Sequence, residues 1–258
     1  NKGLKALILV NNLEGKPISA YHIGFVLGPC INASGRLSTA KRALELLMAE
    51  DEKKAAELAV DLKALNESRK EMTAKGVEEA VQMIETSHMD SDRVLVIYLP
   101  KCHESLAGII AGRIRERYAK PVFVLTKGEE GVKGSGRSIE AYHMFKELVK
   151  CKALLSKFGG HPMAAGLSLP EENVDAFRKL LNDNCALTEE EMAEKVRIDV
   201  PMPISYVNMP LIRQLNLLEP FGKGNAKPLF AQKNIKITGC RVFGKNRNVV
   251  KMKLYDEN

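Results

Sequence analysis

The chain has 258 residues, 45% hydrophobic and 28% charged, which excludes wholesale disorder and gives room for a sizeable core spread over about two domains. No run approaches the ~18 apolar residues of a membrane span, and no basic-then-apolar leader follows Asn1; a chain beginning on Asn rather than Met is expected to be a fragment. The formal charge of +7 is one-ended: nine basic residues after Pro220 (Lys223, Lys227, Lys233, Lys236, Arg241, Lys245, Arg247, Lys251, Lys253) face only Asp256 and Glu257, leaving residues 1–219 neutral. That asymmetry fits a polyanionic partner, most simply nucleic acid, or else a solvated strand surface.

Residues 1–35 read as short mixed elements ending in a Gly-rich turn, Gly28-Pro-Cys-Ile-Asn-Ala-Ser-Gly35. Ser38 is placed to cap a helix reaching Ala49, with Leu44, Leu47 and Met48 on one face. Asp51 caps a second helix, where Leu58, Leu62, Leu65 and Met72 recur at helical spacing; continuous to Glu85, it would be about 50 Å long. So long and charged a helix is expected to connect domains. Asp90-Ser91-Asp92 reads as a polar loop. Arg93–Leu99 and Pro121–Leu125 are buried strands flanking a helix over Ser105–Tyr118, a βαβ unit. Val132–Ser138 is strand or loop, Ala141–Lys150 helix, Ala164–Leu169 strand and Val174–Asn184 helix. Pro201, Pro203 and Pro210 mark a linker before a short helix at Leu211–Leu218. Beyond Leu229, Ile235–Ile237, Cys240–Phe243 and Val249–Leu254 alternate at period two, a hairpin-rich β region. The fold class is therefore α/β with a mixed sheet, followed by a β-rich segment.

The five cysteines (Cys30, Cys102, Cys151, Cys185, Cys240) are odd in number and widely spaced, with no C-x-x-C. That fits a reducing cytoplasm rather than a disulfide scaffold or structural zinc. His103-Glu104 does not begin H-E-x-x-H, because the fifth position is Ala107. No metal cluster is expected in this chain.

Three segments could carry chemistry. Gly28–Arg36 offers the Asn32 amide and the Arg36 guanidinium, suited to bidentate phosphate binding or, equally, to a salt bridge at a helix start. Gly134-Ser135-Gly136-Arg137-Ser138 combines small residues, two hydroxyls and one Arg; it is an anion cradle or an ordinary turn, and lacks the P-loop spacing. Gly159-Gly160-His161-Pro-Met-Ala-Ala-Gly166 surrounds one His with small residues, so a ligand or another backbone can approach closely.

Together, Phe25–Leu37, His103-Glu104 with Gly108–Arg113, Ser135–Ser138, and Phe158–Gly166 resemble the RecJ family, single-strand-specific 5′→3′ DNA exonucleases of the DHH phosphoesterase superfamily. Leu218-Glu-Pro-Phe-Gly-Lys-Gly-Asn-Ala-Lys-Pro-Leu-Phe230 resembles that family's entry into its OB-fold. The resemblance implies that residues 1–50 end a DHH domain, 51–87 form a connecting helix, 88–184 form the DHH-associated substrate-binding domain, and 185–258 form part of an OB-fold. It implies Mn or Mg in the parent enzyme, bound by the DHH domain that this chain lacks, and none bound here. Single-stranded DNA is the implied partner, with repair proteins beside it and no membrane. His161 takes the catalytic role toward the scissile phosphate; Asn32, Arg36, His103, Ser135, Gly136, Arg137, Ser138, Gly159 and Gly160 are the phosphate- and DNA-binding residues. Cys30 stands where the family pattern has Arg, which removes one phosphate contact. A cyclic-dinucleotide or short-oligonucleotide phosphodiesterase of the same superfamily, and a non-catalytic nucleic-acid-binding module, are the alternatives.

Overall fold

The computed structural model describes all residues except Glu130, Glu194, Lys245, Asn246 and 256–258. Lys245 of the basic set, with Asp256 and Glu257, lies outside the described residues. The chain divides into two compact units, one of residues 1–18 and 22–194, the other of residues 19–21 and 195–258.

The first unit begins with four helices: α1 (Lys2–Val10), α2 (Gly28–Leu37), α3 (Lys41–Met48) and α4 (Glu52–Thr86). The expected Gly-rich turn is helix α2, entered through a π-helical turn at Ile23–Leu27, with Pro29 in its first turn where no N–H is needed. Packing overrides low propensity here: Cys30, Ala33 and Ser34 are buried on its inner face. Ser38 closes α2 instead of capping α3, and the buried face of α3 is Ala43 and Leu46, not Leu44, Leu47 and Met48, which are exposed.

Helix α4 starts where expected, with the Asp51 carboxylate accepting from Lys54 N at 2.6 Å. Its buried residues are mostly small (Ala55, Ala59, Leu62, Asn66, Thr73, Gly76, Ala80, Ile84), which draws neighbouring helices close. It is therefore packed along its length rather than a bare connector. Leu62 and Ala59 join a cluster with Leu7, Leu27 and Leu46, while Ala80 and Ile84 join another with Leu95, Ile97 and Ile110.

The sheet runs β1-β2-β3-β5-β4, from β1 (Leu95–Tyr98), β2 (Val122–Gly128), β3 (Gly131–Arg137), β4 (Lys157–His161) and β5 (Ala164–Leu169). Strands β1 and β2 are parallel, joined by α5 (Ala107–Tyr118), the expected βαβ unit; the remaining pairs are antiparallel. One face buries Leu95, Ile97, Val122 and Val124 beneath α5 and the end of α4. The other buries Val96, Phe123, Leu125, Val132 and Leu167 beneath α6 (Met144–Lys150) and α7 (Val174–Asp183). Cys185 and Leu187 belong to this second core, so residues 185–194 stay with the first unit.

The second unit holds α8 (Met209–Asn216), a short parallel pair β6 (Val200–Pro201) with β7 (Phe230–Ala231), and a hairpin of β8 (Lys236–Phe243) with β9 (Val249–Tyr255). The two expected short strands at Ile235 and Cys240 are one strand, bent by a bulge between Ile237 and Gly239.

Candidate nucleic-acid interface

Strand pairing decides which side chains meet. On β5, Ala164 lies between Arg137 and His161, Gly166 between Ser135 and Gly159, and Ser168 between Lys133 and Lys157. Alternate residues of a strand share a face, so these three rows lie on one side, the side that α5 covers over β1 and β2. Over β5 and β4 that side is open: a Cβ at Gly159 would meet nothing within 4 Å, and one at Gly166 only Gly134 O at 3.9 Å. The result is a flat glycine floor beside Ser135, bounded by Arg137 and His161 at one end and by Lys133 and Lys157 at the other. His161 is exposed, its backbone paired with Ala164 across β4 and β5.

The intervening row, Gly136–Ala165–Gly160, faces the opposite core. A Cβ at Gly136 would sit 2.4 Å from Met144 Sδ and 2.7 Å from a Phe123 ring carbon; one at Gly160 would sit 2.5 Å from Ala164 O. These glycines permit close packing, and β3 is paired on both sides, so the expected cradle of free backbone N–H groups at Gly136 is not formed. Ser138 is likewise absent from the open face. It is buried, its Oγ donates to Tyr142 O at 2.6 Å, and its N–H donates to Met163 O at 2.9 Å, pinning the β4–β5 turn. Ser138→Ala is expected to cost about 1–3 kcal/mol, because it removes the donor from a buried carbonyl. Thermal melting should show the loss, with single-strand affinity unchanged once the variant is folded.

The first motif converges on the same side. Asn32 and Arg36 lie four residues apart on the exposed face of α2. Arg36 Nη1 donates to Ser105 O at 2.8 Å. Ser105 in turn holds His103: the imidazole Nδ1 lies 2.8 Å from Ser105 Oγ and accepts from Ser105 N at 3.3 Å. In the neutral ring that leaves the proton, and hence a donor, on Nε2. A cleft of about 270 Å³ separates this turn from the sheet, lined by Glu104 and Ser105 on one wall and Ser135, Gly166 and Ser168 on the other. Lys133 spans it to Glu104 at 2.7 Å. Cys30 is apart from this face: it is fully buried, its thiol lies 3.3 Å from Val26 O, and burial raises its pKa.

Arg137 has its guanidinium seated on Gly108 at the start of α5, where a Cβ would come within 2.7 Å of Nη2. Its Nη1 donates to Gly136 O at 2.7 Å. Burial, then the Arg36 and Arg115 guanidinium groups, push its pKa below the ordinary arginine value. Sequence reasoning gave no role to Arg69 on α4 or to Arg113 and Arg115 on α5, although the charge of Arg113 acts on Arg69 and that of Arg115 on Arg137. Their signal was weak, since each sits in a charged helix stretch where a solvated face is the ordinary reading.

In the second unit, Arg241 stands directly opposite Lys251, with Gly239 opposite Lys253 on the same hairpin face. Like charges facing each other across a ladder are unfavourable unless an anion neutralises them.

Among the described residues no three His, Cys, Asp or Glu side chains gather as a metal site. No helix among them is long and apolar enough to cross a membrane.

Comparison with known proteins places these features. Residues 91–187 match the DHHA1 domain family, and residues 198–258 match the RecJ OB domain family. The single-stranded-DNA-specific exonuclease RecJ of Bacillus subtilis is 35% identical over 260 residues, covering 99% of this chain and 33% of that protein. The Haemophilus influenzae protein of the same name is 34% identical, covering 98% of this chain and 45% of its own length. The crystal structure of Thermus thermophilus RecJ in complex with Mg2+ superposes with a TM-score of 0.84 at 28% identity, over 98% of this chain and 39% of that one. The Mn2+ complex gives 0.80 at 27% identity. The chain thus spans between a third and a half of the length of these curated relatives. With both domain families in order and RecJ proteins similar across nearly all of its length, the chain belongs to the RecJ family.

Proposed function

We propose that this chain is the strand-holding part of a single-strand-specific 5′→3′ DNA exonuclease working in the reducing cytoplasm. The observation that carries the reading is the convergence of Arg36, Ser135, Arg137 and His161 on one side of the sheet, beside an open glycine floor. Among the described residues, no carboxylate lies within ion-pair distance of Arg36 or Arg137. Guanidinium groups held by neutral oxygens and lacking a carboxylate are suited to phosphate.

In this reading Arg36, Ser135 and Arg137 hold backbone phosphates, Asn32 and the His103 Nε2–H donate at the rim, and His161 faces the reacting phosphate. Gly159 gives the strand a flat approach, while Gly160 fits β4 closely to β5. The Arg241–Lys251 face of the hairpin, in the second unit, offers a cationic surface of its own to single-stranded DNA. Residues 1–50 end the hydrolytic domain, 51–87 form the linking helix, 88–194 hold substrate and 195–258 belong to the OB-fold. The parent's divalent ions are held by residues outside this chain. The chain's own contribution is placement: fixed donors that orient the phosphodiester without reorganising.

The test is binding of a fluorescent, 5′-phosphorylated oligothymidylate followed against salt. The expected slope of log K against log salt is about −0.7 for each phosphate neutralised, with several engaged. A duplex of equal length should bind more weakly, and the chain alone should release no nucleotides with manganese present. A salt-independent affinity, or equal affinity for the duplex, would overturn the reading.

A further inference from the structure

We propose that Arg69, on the long helix α4, forms a second phosphate subsite next to Arg36, so that α4 itself binds the DNA strand. The inference rests on the single-strand reading above and extends it to the long helix.

Arg69 is half-buried, and its orientation is fixed. The Asn66 Oδ1 accepts from its Nε at 3.2 Å and its Nη2 at 3.0 Å. Asn66 is itself only 3% exposed, one turn earlier on the packed face of the helix. That bidentate clamp holds the fork still and leaves Nη1 and the outer edge of Nη2 free to donate. Carboxylates are plentiful on α4, yet none of the described ones lies within ion-pair distance of Arg69. Glu67, two residues away, pairs with Lys70 at 2.9 Å instead.

Burial, then the charge of Arg36, lowers the Arg69 pKa, and Arg113 acts in the same direction; Cys30 and Glu67 act against them without reversing the shift. Arg36 is also the first charge that Arg137 feels. Arg36 is thus the common neighbour of Arg69 and Arg137. The three guanidinium groups share one pattern, each held by a neutral oxygen, those of Asn66, Ser105 and Gly136. Three fixed, mutually repelling cations raise the energy of the free protein, and a polyanion crossing them relieves it. A single phosphate at Ser135 and Arg137 leaves Arg69 unneutralised; a strand with several phosphates does not. Arg113 pairs with Glu116 at 3.3 Å on an exposed surface, a weak contact that leaves it available to the same strand.

The experiment uses the whole 258-residue chain with Arg69→Gln, two probes and a salt series. Octathymidylate should bind at least about tenfold more weakly, with the salt slope shallower by about 0.7. Thymidine 5′-monophosphate, which carries one phosphate, should bind as it does to the unaltered chain. Arg137→Gln should weaken both probes. Unchanged octathymidylate affinity and slope in Arg69→Gln, with Arg137→Gln weakened, would sink the inference and leave the single-strand reading standing. If Arg137→Gln is also unaffected, the parent reading falls with it. A brace role for Arg69 predicts a lower melting temperature with the slope intact. Arg69→Lys keeps stem and charge but not the fork, and serves if Arg69→Gln fails to fold: a several-fold loss for octathymidylate alone supports the subsite, and unchanged binding overturns it.

Discussion

Arg137→Gln is expected to weaken single-strand binding by roughly 10- to 100-fold without lowering the melting temperature. A charge-assisted hydrogen bond to phosphate contributes about 1.5–3 kcal/mol, which sets that range. Stability behaves differently because the folded chain does not favour this charge. Burial and the neighbouring Arg36 and Arg115 groups all lower the Arg137 pKa, so the protonated guanidinium is held at a cost that a neutral amide avoids. Gly108→Ala separates position from charge. Alanine favours a helix over glycine by about 1 kcal/mol, so α5 gains slightly. Its methyl group would nevertheless stand 2.7 Å from Arg137 Nη2 and must push the guanidinium aside. Affinity should fall although no charge has been removed. If Gly108→Ala binds as tightly as the unaltered chain, Arg137 does not act from the position described.

The βαβ unit, the Asp51 cap and the antiparallel hairpin were legible because apolar runs with β-branched residues, cap residues and period-two alternation are local signals. Strand β4 was not legible. Lys157-Phe-Gly-Gly-His161 has no β-branched residue, and its extended form comes from pairing with β5, where Gly160 lets the two backbones approach. Helix α2 was hidden for a related reason: Gly28, Pro29, Ser34 and Gly35 read as a turn until Cys30 and Ala33 are seen packed inside the helical layer. At the site, composition picked out the three segments but not the faces. Ser135 and Arg137 reach the open side, whereas Gly136 and Ser138, one position off in each case, serve the core. Only the register with β2 and β5 makes that division.

The same alternation gives neighbouring glycines opposite fates. In Gly160→Ala the new methyl meets Ala164 O at 2.5 Å and Ala165 Cα at 2.7 Å, backbone atoms of the strand β4 pairs with. They cannot rotate away like a side-chain tip, so β4 must lift from β5. Forced contacts of this kind cost about 1–3 kcal/mol. Relief by local opening of β4, an edge strand, would appear as faster amide exchange in residues 157–161. Gly159→Ala meets nothing and has no positive φ to strain, so its smaller unfolded-state entropy should leave stability equal or raise it by about 0.4–1 kcal/mol. Its functional consequence runs the other way. On the strand path proposed above, Gly159 is part of the floor, and a carboxylate there lies on the same face as Arg137 and His161. Gly159→Glu should therefore lose single-strand binding by at least about tenfold through occlusion and like-charge repulsion, with melting unchanged. Part of the loss should be recovered in Gly159→Gln, which keeps the bulk but not the charge. Should Gly159→Glu bind as well as the unaltered chain while Gly160→Ala alone fails, the glycines are there for packing and the DNA strand takes another path.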